Sequence, residues 1–449
     1  MTHDVPLRDG SSWRRIGAYL RQSVRVRQIL NSRVTRSSTI NIAGSIVPIV
    51  VAIPCLAALP RYLPTELFSL LLLAWALVGY AGILDLGLSR AVTLLVSRQQ
   101  GANTAALQEI LSTALFVSIA SGLVGGAALL FGIDWLVSDI LKTSPNVTRD
   151  AVTGFTLIAC SIPLLLPHLV VQGFWDGRER FLESNIQRVA GGALPIVGAT
   201  AMVVMVQSSF TAAAAGLLAG RALALALGLY QNAIWREIRL GSIRRQQLRM
   251  LMGFGSWVTV SGAISPLMGY LDRYVLAYAR GSTIVAFYAA PSELVMKLLV
   301  LPVAVTRGLY PRLVASHAIG EEGSDTRHAY LLIAATCVPV AAGLALLAPF
   351  ILHFWLGPVY AANSTGVVRV LAFGFLFSAF AQVPFTQLYA KGRPELIAMI
   401  HTGELLIFIP TAYLASLHFG PIGCAAAWTL RNLIDLLILL VSGKRAAWR

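Results

Sequence analysis

A chain of 449 residues is long enough for two or three soluble domains, but 57% of its residues are hydrophobic and only 12% are charged. Because soluble domains carry about 25% charged residues, this composition excludes a water-soluble protein. The net charge of +15 raises the question of nucleic acid binding. Most lysines and arginines, however, lie in short segments between apolar runs, where they orient a membrane protein.

Apolar runs long enough to cross a bilayer recur along the whole sequence. About 20 apolar residues in a helix span ~30 Å of hydrocarbon. In chain order the segments are 38–60, 65–97, 104–132, 150–174, 187–207, 211–232, 251–279, 283–315, 328–353, 364–390, 394–417 and 420–442. The sequence therefore predicts an all-α integral membrane protein with about twelve transmembrane helices.

The loops between these segments divide by charge. Alternate loops, beginning with the N-terminal tail, hold 24 lysines and arginines, and the opposite loops hold 4. Positively charged loops stay in the cytoplasm, so we expect both termini there. The basic tail, residues 1–37, mixes arginines with apolar residues, which favours an amphipathic stretch on the anionic inner leaflet. A partner-binding helix is the alternative for this tail.

The two halves of the chain resemble each other. A basic loop, 233–250, separates a predicted N-lobe, 38–232, from a predicted C-lobe, 251–449. The stretch Ala43–Pro48 is similar to Ser261–Pro266, in the first segment of each half. Each half has six segments, so both keep the same orientation. The sequence thus predicts two six-helix lobes related by a parallel internal repeat, with a substrate pathway between them.

Four arginines within the apolar segments are candidates for substrate binding. Aligning the sixth segments of the two halves sets Arg221 against Arg431, both near the middle of the bilayer. Arg90 and Arg307 lie about two turns from the cytoplasmic helix ends, where a long side chain can also reach the interface. A charge at mid-bilayer costs about 2.5–3.5 kcal/mol. Because the guanidinium fork binds two phosphate oxygens at once, these residues favour an anionic, phosphate-bearing substrate.

The remaining ionisable residues of the segments are candidates for ion coupling or ion pairing. Glu293 and Lys297 have i,i+4 spacing and are expected to neutralise each other. Carboxylates on neighbouring helices are the structural alternative to a ligand for the arginines, and unpaired carboxylates suit proton or cation coupling. The complete set is Asp85, Asp272, Arg273, Glu293, Lys297, Glu404 and Asp435.

Aromatic residues in the same segments suit stacking on sugar rings. The candidates are Trp257, Tyr270, Tyr274, Tyr288 and Trp428, although most Trp and Tyr residues of membrane proteins mark the interface or pack in the core. The sequence contains no metal-binding or cofactor motif, so we expect neither a metal nor a cofactor.

Short motifs in a fixed order resemble those of one protein family. They are Leu84–Ala91, Gln172–Gly173, Arg180–Phe181, Trp257–Pro266, Tyr270–Arg273, Pro291–Glu293, Tyr310–Arg312 and Gly420–Trp428, followed by Arg431 and Asp435. Together they are similar to the polysaccharide (Wzx-like) flippases of the multidrug/oligosaccharidyl-lipid/polysaccharide exporter superfamily. The resemblance covers the chain from residue 38 onward, and the long basic tail departs from the family pattern.

The resemblance implies a transporter of two lobes that alternate between inward-open and outward-open states. It implies a substrate of oligosaccharide on undecaprenyl diphosphate, moved from the cytoplasmic to the periplasmic leaflet of a bacterial inner membrane for O-antigen or exopolysaccharide synthesis. A polysaccharide polymerase or export complex is the implied partner. Carried onto this chain, the diphosphate ligands are Arg90, Arg221, Arg307 and Arg431.

Two other functions compete with this interpretation. A cation-coupled drug or metabolite antiporter of the same superfamily would line its cavity with carboxylates and aromatic residues rather than arginines. A membrane polymerase or ligase acting on lipid-linked sugars needs a sizeable periplasmic loop for its catalytic site. The longest predicted outer loop, about 132–147, is too short for one, so we expect no catalytic residues.

Overall fold

A computed structural model describes residues 33–85, 87–99, 104–239, 244, 247–248, 250–251, 269–306, 322–391 and 393–445 of the chain. Every regular element within these ranges is helical, which confirms the predicted all-α class. Nine described helices are long and apolar enough to cross a membrane, and Ile46–Tyr62 forms a shorter apolar helix.

Seven helices make up the described part of the first half. They are α1 Arg33–Tyr62, α2 Thr65–Ala81, α3 Leu88–Arg98, α4 Thr104–Trp135, α5 Thr148–Gly177, α6 Phe181–Met205 and α7 Phe210–Tyr230. Helix α4 continues through a π-helical turn, Leu136–Ile140. The predicted outer loop 132–147 is therefore mostly helical.

Five helices make up the described part of the second half. They are α8 at 269–280, α9 Ala286–Leu298, α10 Glu322–Leu356, α11 Pro358–Ala390 and α12 Pro394–Arg445. Helix α12 contains two predicted segments, because Gly420 adopts a φ of 59° and divides it into an arm at 394–419 and an arm at 421–445. A positive φ is accessible to glycine without steric cost, so one residue suffices to reverse the chain.

The predicted segment 65–97 is wrong as one continuous helix. The chain leaves α2 through a 3₁₀ turn, Gly82–Asp85, and Gly87 has a left-handed φ of 67° before α3 begins. Asp85 Oδ2 accepts hydrogen bonds from Ser89 N at 3.1 Å and Ser89 Oγ at 2.7 Å. Asp85 is therefore an acceptor for the first turn of α3 rather than the unpaired carboxylate that a continuous helix implies.

Within each half, neighbouring helices pack along their lengths. Helices α6 and α7 make an intimate contact, as do α4 with α5 and α11 with both α10 and α12. At the α6–α7 crossing, Gly198 and Gly216 face each other so closely that a Cβ on either glycine would meet the backbone of the other helix. Small residues at such crossings let two membrane helices approach to backbone contact.

We expect Gly216→Leu to lower the thermal stability of the detergent-solubilised protein, because overpacking typically costs about 1–3 kcal/mol. The matched control is Gly132→Leu, since a Cβ on Gly132 meets no atom within 4 Å. Melting temperatures measured by tryptophan fluorescence would test this difference. Equal melting temperatures for the two variants would contradict the close approach of α6 and α7.

Candidate functional site

Four charged residues of α8 and α9 form a cluster in the membrane, and we call it the junction cluster: Asp272, Arg273, Glu293 and Lys297. Arg273 Nη1 lies 2.8 Å from Glu293 Oε1, and Lys297 Nζ lies 3.5 Å from Glu293 Oε2. Asp272, Arg273 and Glu293 are 1%, 0% and 4% exposed. The two positive and two negative charges therefore neutralise each other in a place where water does not solvate them.

Neutral side chains complete the polar contacts of the junction cluster. Tyr288 Oη donates to Asp272 Oδ2 at 2.5 Å, and Arg273 Nη2 donates to Ser292 Oγ at 3.2 Å. The backbone N–H of Arg273 also donates to Asp272 Oδ1, at 2.8 Å. The Tyr288 and Ser292 bonds join α8 to α9 through side chains. Breaking a buried ion pair by removing one partner costs about 3–5 kcal/mol, so the cluster fixes the relative position of the two helices.

The junction cluster faces the first half of the chain. Glu293 and Lys297 line a small cavity of about 20 Å³, enough for about one water molecule. Its remaining walls come from α1, α2 and α6, namely Ala52, Leu56, Leu71, Leu72, Trp75 and Ile196. The Lys297 side chain keeps 32% of its surface exposed. The cluster therefore presents a cation at the contact between the two halves.

Tyrosines extend the junction cluster towards α2. The Arg273 guanidinium lies 4.8 Å from the ring centroid of Tyr270, which packs edge to face against Tyr80 at 6.1 Å. Tyr274 Oη donates to the Leu73 carbonyl of α2 at 2.7 Å. The sequence identified Tyr270 and Tyr274 but not Tyr80 or Trp75. Only the packing of α2 against α8 and α9 brings these residues together.

The structure places two of the predicted sugar-stacking residues in the protein core. Tyr288 is 0% exposed and Trp428 is 2% exposed, so neither ring has a face open to a sugar. We attribute the burial of these two rings to packing, because each ring fills space between helices. Trp257 lies outside the described residues.

The predicted phosphate-binding arginines occupy different places. Arg90 is exposed on α3, and Arg307 lies outside the described residues. Arg221 is 7% exposed on α7 and donates from Nη1 to Ser161 Oγ of α5 at 2.5 Å. Arg431 of α12 donates to Asn432 Oδ1 at 3.2 Å and lies 5.6 Å from the ring centroid of Phe408. The contacts described for Arg221 and Arg431 are with residues of the same half. The two arginines therefore do not face one shared gap between the halves.

A second group of ionisable residues lies between the two arms of α12. One ligand atom each of His401, Glu404 and Asp435 lies within 4.8 Å of the others, and His401 Nε2 is 3.7 Å from Asp435 Oδ1. The sequence identified both carboxylates but missed His401, although its i,i+3 spacing to Glu404 was a usable signal. These residue types could hold a metal ion, but the nearby guanidinium of Arg431 opposes a cation there.

We expect Glu293→Gln to destabilise the protein by about 3–5 kcal/mol, because it leaves Arg273 buried without a full countercharge. Lys297→Gln removes a partly exposed charge and should cost less than about 1 kcal/mol. The double variant Arg273→Gln/Glu293→Gln should cost less than the sum of its single variants. Unfolding in detergent measures the wild type, the three single variants and the double variant, and strictly additive losses would contradict the ion pair.

Comparisons with known proteins agree with this architecture. Residues 33–317 match the protein family described as "Polysaccharide biosynthesis protein". A Shigella flexneri protein described as "Putative O-antigen transporter" is 32% identical over 408 residues, which cover 90% of this chain and 96% of that protein.

Solved structures share the fold at low sequence identity. An inward-facing MATE multidrug transporter of the MOP superfamily has a TM-score of 0.76 at 15% identity, covering 89% of this chain and 97% of the transporter. The lipid II flippase MurJ in an inward closed conformation has a TM-score of 0.73 at 14% identity, covering 91% and 87% of the two chains. The predicted family resemblance is confirmed: the chain is a multi-pass membrane transporter, not an enzyme, and belongs to the polysaccharide biosynthesis protein family.

Proposed function

We propose that the protein flips an oligosaccharide linked to undecaprenyl diphosphate from the cytoplasmic to the periplasmic leaflet of a bacterial inner membrane. The family, the description of the Shigella relative and the flippase fold support this substrate class. Residues 38–232 and 251–449 act as the two moving lobes, and both termini lie in the cytoplasm. Association with a polymerase or export complex stays a prediction from the family resemblance.

The observation that carries the proposal is the cation of the junction cluster. Lys297 lies about 16 Å along its helix from Ala286 at 1.5 Å per residue, which is near the middle of the span Ala286–Thr306. A charge at this depth costs about 2.5–3.5 kcal/mol. Its contact with Glu293 is long at 3.5 Å, so ammonium donors remain for a phosphate oxygen.

In this mechanism the diphosphate passes Lys297 while the sugars move between the lobes. Arg90, Arg221, Arg307 and Arg431 retain their proposed role as further phosphate ligands, reached in other conformations of the transport cycle. Trp75 and Tyr270, beside the junction cluster, provide the aromatic surface for the sugars. The polyprenyl chain remains in apolar surroundings throughout.

Alternating access is supported by contacts that join the two halves at one end of the molecule. Glu66 Oε1 of α2 accepts from the Ser144 N–H at 2.8 Å and from Ser282 Oγ, of the second half, at 2.9 Å. Lys142 Nζ donates to the Tyr278 carbonyl at 2.6 Å. We call these contacts the outer latch, because the charge distribution of the loops predicts that this end is periplasmic.

The position of the outer latch agrees with an inward-facing state. The TM-score is 0.76 against the inward-facing MATE transporter but 0.59 against an outward-facing MATE transporter. Opening the periplasmic side would require the Glu66–Ser282 and Lys142–Tyr278 contacts between the halves to break. Each hydrogen bond to a charged group is worth about 1.5–3 kcal/mol, so the outer latch is strong enough to hold one state and weak enough to release it.

We expect Lys297→Gln to lower the flipping rate at least tenfold in proteoliposomes that contain labelled undecaprenyl diphosphate–sugar. The leaflet accessibility of the label measures the rate, and Lys391→Gln, a lysine outside both the junction cluster and the outer latch, is the control. Arg221→Ala and Arg431→Ala test the further phosphate ligands in the same assay. Wild-type protein that moves no labelled lipid but exports a cationic dye would replace the proposal with drug antiport.

We expect Glu66→Ala to increase the outward-open population about tenfold or more, because both hydrogen bonds to the carboxylate are lost. Distances between spin labels at Tyr62 and Val359, on the outer ends of α1 and α11, report this population. Asp139→Ala is the matched control, since Asp139 is an exposed acidic residue near the same end. An unchanged distance distribution in the Glu66 variant would rule out the outer latch as a gate.

A further inference from the structure

The chain that leaves α7 towards the second half is docked on the first half. It forms a 3₁₀ segment, Gln231–Glu237, and is described as far as residue 239. We call residues 231–239 the strap. The strap leads into the basic loop 233–250, so the charge distribution of the loops predicts that it lies on the cytoplasmic side.

An ion pair holds the strap to the end of α5. Arg178 donates from Nη1 to Glu237 Oε1 at 3.1 Å and from Nη2 to Glu237 Oε2 at 2.9 Å. A bidentate pair of this kind fixes the relative orientation of the two side chains. The Arg178 guanidinium also lies 4.5 Å from the ring centroid of Phe174, which adds a favourable contact for the cation. We call the Arg178–Glu237 pair the clasp.

Apolar and backbone contacts dock the strap as well. Ile234 is 0% exposed and packs in a cluster with residues of α3, α4 and α5. The N–H of Arg239 donates to Ser112 Oγ of α4 at 3.0 Å. Leu251, the first residue of the predicted C-lobe, is also 0% exposed and lies in the same cluster. The start of the second half is therefore attached to the first half in this state.

The docked strap contains strained backbone. Asn232 and Ala233 have φ angles of 52° and 53°, which are left-handed. Asparagine tolerates this region, but the Cβ of an alanine comes too close to the following carbonyl oxygen. Such strain persists only where neighbouring contacts impose it, and it is common in segments that switch. The clasp and Ile234 therefore hold the strap in a conformation that its own backbone disfavours.

The clasp is a contact that can break and re-form. The side chains of Arg178 and Glu237 are each 22% exposed, so water can solvate both charges after they separate. Ion pairs with access to water contribute little net stability. Release of the strap exchanges this pair and the burial of Ile234 for relaxation of Ala233. These opposing contributions bring the docked and released states close in free energy.

Release would lengthen the link between the two halves. An extended chain spans about 3.3 Å per residue, so residues 231–250 would reach roughly 66 Å when they are undocked. In the docked state Leu251 stays beside α3, α4 and α5. Halves that alternate between inward-open and outward-open states change their separation on the cytoplasmic side. The docked strap resists that change, and the released strap permits it.

We propose that the strap is a strained restraint on the movement of the two halves. Docking through the clasp retains the present arrangement, and release of the strap allows the halves to move. The proposal goes beyond the flippase function, because it concerns the conformational cycle of the chain and requires no particular substrate. It gives a role to Arg178, Ala233 and Glu237, which the phosphate and sugar contacts do not use.

Two substitutions with opposite expected effects test the docking of the strap. Glu237→Gln removes the charge of the clasp and should speed hydrogen–deuterium exchange of peptides within residues 231–239 at least fivefold, because exchange follows the population of the open form. Ala233→Gly should slow this exchange at least threefold, since glycine adopts a positive φ without steric cost. Mass spectrometry of the protein in lipid nanodiscs measures the exchange.

Matched controls come from the second half. Glu395→Gln removes a carboxylate from another ion pair, with Arg393 at 3.1 Å, and Ala398→Gly replaces an alanine within α12. Neither control should change the exchange of the strap. Unchanged exchange in Glu237→Gln, or exchange that is not slowed in Ala233→Gly, would overturn the proposal.

Spin labels at Tyr62 and Val359 report whether the strap restrains the halves. We expect Glu237→Gln to raise the outward-open population at least twofold and Ala233→Gly to lower it at least twofold. Identical distance distributions in the wild type and both variants, despite altered exchange, would show a strap that docks without restraining the halves and would overturn the proposal. Both measurements omit lipid-linked sugars, so their outcome is independent of whether the protein flips them.

Discussion

The ion pair between Arg273 and Glu293 is the interaction on which the centre of the molecule depends. Hydrocarbon provides no water to solvate a charge, so a fully buried guanidinium requires a carboxylate in direct contact. That requirement determines the position of α8 relative to α9, and Ser292 and Tyr288 complete the network. Once Arg273 has neutralised most of Glu293, Lys297 remains with a longer contact and with exposed surface. The cation that we propose to bind phosphate thus depends on the structural ion pair between Arg273 and Glu293.

Equivalent arginines in the two halves have different surroundings. Arg221 has Ser161 as its hydrogen-bond partner, and no acidic side chain of the described residues forms an ion pair with it. Arg431 lies near Glu404 between the arms of α12, where Glu404 is grouped with His401 and Asp435. The predicted repeat thus aligns two arginines whose electrostatic surroundings differ. In the proposed transport cycle, a substrate that passes between the halves would meet an asymmetric field.

Much of the fold could be predicted from sequence because the bilayer restricts the chain to helices of known length. The segment ends of α5, α7 and α12 agree with the structure within a few residues. The break after α2 was missed, although α3 is much less apolar than α2. Hydropathy records the environment of a segment but not its backbone path.

The site was harder to predict than the fold. The i,i+4 spacing identified Glu293 and Lys297, which lie on one helix, but it could not show that both face α1, α2 and α6. Trp75 and Tyr80 were missed, and the contact of Tyr274 with α2 was not foreseen, because these roles depend on contacts between residues about 200 positions apart. The sequence indicated unpaired arginines as candidate ligands, whereas the structure places a paired lysine, Lys297, at the contact between the halves.

The left-handed turn at Gly87 has a mechanical consequence. Above it, α2 contacts the second half through Ser69, whose Oγ accepts from the Ala286 N–H at 2.8 Å. Below it, α3 is bound to its own half, since Thr93 Oγ1 donates to the Gly173 carbonyl of α5 at 2.9 Å. Helix α2 also packs on α5 and α7 of its own half, so this membrane crossing contacts both halves above the turn and its own half below it. A rigid rod would force both leaflet sides to move together, whereas a crossing with a break at Gly87 would let the outer part move while the inner part keeps its packing.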